Sequence, residues 1–322
     1  MKIQNPDQLV YLNDYVDDEY SYEGLYPKGA REKKSLTAPP NVPYDFLINR
    51  HRYLFKKSFR RYPHQFWIEI AAYRIGCLMG VSVPPAFVAY DSYDAEFGAL
   101  IEWFYDYPNS DKQAYHDGGV YMMQLIDDYD MKAGAQHNFV TISTLMRALH
   151  KIKVMSENWA ESWAKIFTFD TIIGNTDRHH DNWGIIWNSN NSISGEISAV
   201  IAPAFDNGTS LGHEIIDSNL AKFENLDMLN SYINRGKHHA RWQKDDIDRI
   251  THIEFMKRYA NKFPDTRQTI LNCLSFDSTR LIEVIYQLTH FDVLVPLTEP
   301  RAKFMVNLVE TRRRNLLREL GA

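Results

Sequence analysis

The chain has 322 residues, 44% hydrophobic and 24% charged, with a formal net charge of −5. That length calls for one large domain or two lobes, and the composition is that of a soluble globular protein. The acidic balance gives no electrostatic case for nucleic acid as a main partner, and no run is apolar for long enough to cross a bilayer, so neither nucleic acid nor membrane is expected. The two cysteines, Cys77 and Cys273, lie far apart in apolar surroundings and read as buried free thiols of a reducing compartment. The opening residues lack a signal-peptide core, so the cytoplasm is the expected location. The basic runs "FKKSFRRY" and "TRRRNLLREL" read as solvated faces.

The first ~40 residues are polar and aromatic and end in "KSLTAPPNVPYD", whose prolines argue against regular structure. Residues 44–59 then read as a strand or hairpin. "QFWIEIAAYRIGCLM", residues 65–79, has helical spacing, with Phe66, Ile70, Tyr73 and Cys77 on one face. "GVSVPPAFVAYD" and "FGALIEWFYD" follow as strands. Beyond them the chain reads mostly helical. The clearest helices are residues 138–152 and 158–173, the second ending at Gly174 as a C-cap, and 300–320 behind Pro300. "WGIIW" and "EISAVIAPAFD" read as a hairpin whose second strand runs to Asp206, with "NSNNSISG" as its turn.

One stretch stands out. "IIGNTDRHHDNWGII" sets Asp177 ahead of Asn182 in the pattern D-x-x-x-x-N, between a helix and the hairpin that leads to Asp206 in "PAFDNG". Phosphoryl transfer from ATP needs such a set. One carboxylate positions the acceptor hydroxyl and takes its proton, while a neutral oxygen donor and a second carboxylate hold Mg²⁺. The order of loop, hairpin and acid is that of a protein-kinase-like C-lobe. The first third offers the remaining parts. Lys56 lies in a strand and can reach the phosphates, and Glu69 on the first helix can orient it. Strand alternation separates Lys56 from Lys57. The backbone from Glu102 to Phe104 can hydrogen-bond adenine. "YPKGAREKKS" is a weak phosphate loop, since it lacks G-x-G-x-x-G.

These residues, with "YLFKK", "FWIEIAAYRIGCLMGVSVPPAF" and "APAFDNG", resemble the HipA-like serine/threonine kinases, the toxin kinases of bacterial toxin–antitoxin modules and their relatives. The resemblance covers roughly residues 50 to 210. It implies an α+β, two-lobed protein-kinase-like fold, with an N-lobe at residues 1–105 and a larger helical C-lobe at 106–322. It also implies ATP and Mg²⁺ as cofactors, Asp177 as the catalytic aspartate, Asn182 and Asp206 as metal ligands, and Lys56 as the ATP-binding lysine. A protein substrate and a cognate antitoxin are the implied partners. The family's serine-bearing phosphate loop is not matched cleanly, and Ser35 and Ser21 are the nearest autophosphorylation candidates.

Other readings stand beside this one. A phosphoinositide-type kinase shares the "DRH…N" loop. A metal-dependent phosphohydrolase could use the His179, His180 and Asp181 cluster with His150 and Asp206. A kinase fold without turnover could serve as a binding module. His179 is expected to orient the loop through backbone, and His180 and Asp181 to face solvent. "RGKHHARW", residues 235–242, reads as a solvated loop or a phosphate-facing basic patch. Trp163, Phe167 and Trp183 are expected in the core.

Overall fold

The computed structural model describes residues 1–17, 33–105, 112–155, 157–189 and 197–322. A six-stranded sheet carries the first third. Its strands are β1 (Val10–Tyr11), β2 (Val16–Asp17), β3 (Lys33–Thr37), β4 (Arg52–Lys57), β5 (Ala86–Asp91) and β6 (Glu96–Glu102), in the order β1-β5-β6-β4-β3-β2. All pairings are antiparallel except β1 with β5. Helix α1 (Gln65–Leu78) lies across one face of this sheet, against β4, β5 and β6.

Alternation along β4 sorts its side chains. Leu54 joins the main core on the α1 side. Tyr53 and Phe55 join a second cluster on the opposite face, with Leu36, Phe87, Leu100 and Phe46. Lys56 therefore faces α1, and Lys57 faces away toward Asp94 and Glu96, at 2.6 and 3.3 Å.

A smaller antiparallel sheet follows: β7 (Gln113–Asp117), β8 (Gly184–Ser189) and β9 (Ile197–Ile201), with β8 in the middle. The helices are α2 (Gly118–Leu125), α3 (Phe139–Lys151), α4 (Trp159–Ile173), α5 (Leu226–Arg235), α6 (His252–Lys262), α7 (Arg267–Leu274), α8 (Ser278–Tyr286) and α9 (Glu299–Leu320). Asn138 and Asn158 cap α3 and α4 through their side chains, and Thr298 caps α9, whose first turn holds Pro300. Helix α4 is central, touching α6, α7 and α9. Gly174 ends it with φ of 70°, in the left-handed region expected of a glycine C-cap. Trp163, Phe167 and Trp183 lie in the core. No helix among the described residues is long and apolar enough to cross a membrane.

Several boundaries differ from the sequence reading. The strand expected over 44–59 is only β4, because residues 44–50 turn back to cover the sheet. Residues 80–85 precede β5 as coil, and β9 stops at Ile201, five residues short of Asp206. β3 and β7 were not foreseen, and neither was any strand in the first 40 residues. These strands are short, and ladder pairing holds them in place, β1 on β5, β2 on β3, β3 on β4 and β7 on β8. The amphipathic α1 is buried all round from Gln65 to Gly76, since α8 and the 295 region cover the side the sheet does not. The basic runs are not plain solvated faces either. Lys56, Lys57 and Arg312 are buried. Cys77 and Cys273 are free, and burial pushes the Cys273 thiol up to about 11.

Candidate active site

The site begins with a buried cation. Lys56 Nζ donates to Glu69 Oε1 at 3.2 Å and to Asp206 Oδ1 at 3.0 Å. Glu69 is 3% exposed, and its second oxygen accepts the Asn207 amide at 3.0 Å. The strand, the first helix and the segment after β9 thus meet at one ammonium group. A carboxylate and an amine this deep are tolerated because each satisfies the other. Asp206 itself has φ of 54°, a left-handed conformation costly for most residues and tolerable for Asp.

A second polar assembly lies beside it. Residues 174–182 form a tight loop after α4. Asn175 Oδ1 accepts the Asp177 amide at 3.0 Å, and Asn182 Nδ2 donates to the Asp177 carbonyl at 2.8 Å. His179 accepts the Asp181 amide on Nδ1 at 3.1 Å, so it orients the loop through backbone. His252 contacts the Asn175 carbonyl from α6.

Arg178 is the hub of this assembly. It is 1% exposed and grips Asp170 of α4 with two bonds, Nε to Oδ2 at 3.0 Å and Nη2 to Oδ1 at 2.7 Å. Its remaining donors reach the Asn182 carbonyl at 2.9 Å, Asn207 Oδ1 at 2.7 Å and the Phe205 carbonyl. One guanidinium therefore fastens the Asp177–Asn182 loop to the segment holding Asp206. Burial pulls the Arg178 pKa down, but the Asp170 ion pair, with Asp206 and Asp177 beyond it, outweighs burial and leaves it raised. Sequence reasoning gave Arg178 no role and passed over Asp170, Asn175 and Asn207. An available signal was the lone acid in the apolar run "FTFDTII".

Part of the backbone expected to meet adenine is already bonded within the fold. The Glu102 amide donates to the Pro85 carbonyl at 2.8 Å, and its carboxylate takes the Lys2 ammonium. The Trp103 amide donates to Arg52, and its carbonyl meets His51. These groups serve the fold. The Phe104 ring stacks on Phe205 at 5.0 Å and meets Tyr115 edge-on at 5.6 Å, an aromatic wall next to Asp206.

The histidines also depart from expectation. His180 is 3% exposed, with Nδ1 2.8 Å from the Tyr129 hydroxyl, and Asp181 is largely covered. His238 and His239 are buried as well, while Arg235 and Lys237 stay exposed, so 235–242 is part core and part solvated face. His238 stacks on Phe255, and His239 lies 3.3 Å from His137. Burial holds all three neutral, His238 at about 3, His239 at about 2 and His137 well below its ordinary value. Among the described residues, one group of His, Cys, Asp and Glu is close enough to share a metal, namely His179, His180 and Asp181. His150 and Asp206 are not part of it, so the hydrolase arrangement is not assembled. Ser35 is a buried residue of β3 opposite Leu54. Ser21 and most of "YPKGAREKKS" lie outside the described residues, as does most of the "NSNNSISG" turn.

The Asn182 amide nitrogen is committed to the Asp177 carbonyl. Asp206 keeps a side chain 22% exposed beside Lys56. Two hard oxygen donors of this kind suit Mg²⁺ and do not suit a soft transition metal.

A curled sheet with one helix, followed by a helical body that carries the loop and the Asp206 segment, is a protein-kinase-like α+β fold. The family model described as the HipA-like C-terminal domain matches residues 26–270, and the chain belongs to that family. The serine/threonine-protein kinase CtkA of Helicobacter pylori strain J99 is 35% identical over 99 residues, 30% of this chain. That match spans only 28% of the relative's length. The crystal structure of the H. pylori proinflammatory kinase CtkA superposes with a TM-score of 0.71 at 18% identity, over 97% of this chain and 98% of that one. HipA of Shewanella oneidensis, solved with HipB and operator DNA, superposes at 0.52 with 13% identity, over 94% of this chain and 67% of that one.

Proposed function

We propose that the protein is an ATP- and Mg²⁺-dependent serine/threonine protein kinase of HipA-like type. The observation that carries this reading is the Lys56–Glu69–Asp206 cluster, fastened through Arg178 to the loop of Asp177 and Asn182. In this reading residues 1–105 act as the N-lobe and 106–322 as the C-lobe, with nucleotide between them. Lys56, held by Glu69, neutralises phosphate charge. Phe104 contributes backbone, and with Phe205 an apolar wall, to the adenine. Asn182 and Asp206 would hold Mg²⁺, which supplies charge neutralisation on the phosphates. Asp177 aligns the substrate hydroxyl and accepts its proton as the oxygen–phosphorus bond forms and ADP leaves. Positioning and fixed charge do most of the work.

On the HipA resemblance we extend the proposal to a toxin role with a cognate antitoxin, in the cytoplasm. A partner co-purifying in stoichiometric amount with the tagged chain from its native host would support it. The main test is γ-labelled ATP and Mg²⁺ with a cell lysate, followed by identification of the labelled residues. Phosphoserine or phosphothreonine in protein is expected. Label confined to lipid would support the phosphoinositide reading instead, and no incorporation would support a binding module.

A further inference from the structure

Helix α9 carries an arginine with too few partners. Arg312 is 3% exposed, yet among the described residues its one hydrogen bond runs from Nη1 to the Thr171 carbonyl at 3.4 Å. Its Nε is buried with no acceptor. A guanidinium has five N–H donors, and one buried without an anion is costly. The C-terminus of α4 favours a cation nearby, but it uses a single donor at long range. Burial accordingly lowers the Arg312 pKa from its ordinary value.

This guanidinium lines an open cavity of about 390 Å³ between segments 174–176 and 209–215, the end of α5 and the middle of α9. Arg235, exposed on the last turn of α5, lines it too, and so do Thr176 and Thr209. Thr176 adjoins Asp177, and Thr209 is three residues beyond Asp206. The cavity also contains one acid. Glu214 is 42% exposed on its side chain and accepts the Tyr232 hydroxyl at 2.8 Å. Two arginines against one carboxylate leave a net positive site with hydroxyls beside it, the donor set that recognises a phosphate monoester.

We propose that this cavity binds a phosphorylated side chain of the protein substrate, so that the enzyme selects acceptor hydroxyls at a fixed spacing from an existing phosphate. The inference rests on the protein-kinase reading and adds its substrate class. The backbone link from the cavity to Asp177 and Asp206 supplies the spacing, because a peptide reaching both must run past the loop in one direction. Gly174 allows the arrangement. A Cβ there would come within 2.5 Å of Arg312 Nη2, so glycine lets the guanidinium lie against the turn.

The test uses degenerate peptides with a serine acceptor and phosphoserine fixed at one position at a time, each with an unphosphorylated twin. Binding is read by fluorescence anisotropy without ATP, and phosphate transfer is read separately. One spacing should bind the wild type about tenfold more tightly than its twin. Arg235→Ala should remove that preference, and Glu214→Gln should strengthen it about threefold by deleting the competing charge. Both positions are exposed, so these variants keep the test sharp even if Arg312→Met does not fold. Equal binding of every phosphopeptide and its twin would overturn the proposal. So would a preference for glutamate over phosphoserine. Phosphopeptide binding without any transfer would refute the kinase reading and leave the pocket standing. Transfer without a phosphate preference would do the reverse.

Discussion

Replacing Arg178 with Ala would leave the Asp170 carboxylate in the core without its cation. Removing one member of a buried, bidentate pair costs about 3–5 kcal/mol, so Arg178→Ala should show that loss in a urea unfolding curve together with loss of transfer. A drop of under about 1 kcal/mol would mean that the hub is not structural. Asp206→Asn acts differently. Asn tolerates the left-handed backbone at this position, so the melting temperature should stay near wild type, while turnover should fall on the order of a hundred- to a thousandfold because the charge placed for the reacting phosphate is gone. Strand alternation made it legible that Lys56 and Lys57 take opposite faces, and the family resemblance, not alternation, singled out Lys56. Asp177, Asn182 and Asp206 drew attention because their types and order match the needs of phosphoryl transfer. Arg178 did not, since an arginine in the polar run "TDRHHDN" looks solvated until the fold shows Asp170 beneath it.

At the scale of elements, Gly174 joins α4 to the loop. Its φ of 70° and the guanidinium pressed against it leave no room for a side chain. Gly174→Ala should cost about 1–2 kcal/mol for the left-handed backbone alone, with more from the displaced Arg312. Chemical denaturation would measure it, and a neutral result would mean that the α4 end can rearrange. Helices α1, α3, α4 and α9 were readable from periodicity and caps, which are local signals. β3 and β7 were not, because "KKSLT" and "QAYHD" gain their strand character from the ladders beside them. β9 ended early for a related reason. Its last pairing with β8 is at Ile201, and the chain then leaves the sheet to bring Asp206 to Lys56.

Across the whole molecule, buried histidines link stability to pH. Burial lowers His238 and His252 to about 3 and His239 to about 2, from an ordinary value of 6.5. The unfolded chain therefore binds protons first as pH falls. Their contribution is complete above about pH 6.5 and declines below it, by roughly 1.4 kcal/mol per histidine for each pH unit until the folded values are reached. The melting temperature should drop markedly between about pH 7.5 and pH 5.5, and equal values would contradict the burial of the 238–252 group. Sequence reading placed His238 and His239 in a solvated loop or a phosphate-facing basic patch, since histidines beside lysine and arginine look polar, and gave His252 no role. Burial is a property of the assembled fold, in which Phe167 and Phe255 pack against His238.

The most direct test of the account is phosphate transfer from labelled ATP by purified wild type and by Asp177→Ala, compared at matched melting temperature and matched Mg²⁺. The geometry of the Arg178-fastened loop predicts transfer to serine or threonine by the wild type, and a loss of several orders of magnitude in the variant. Equal transfer by both proteins would contradict it.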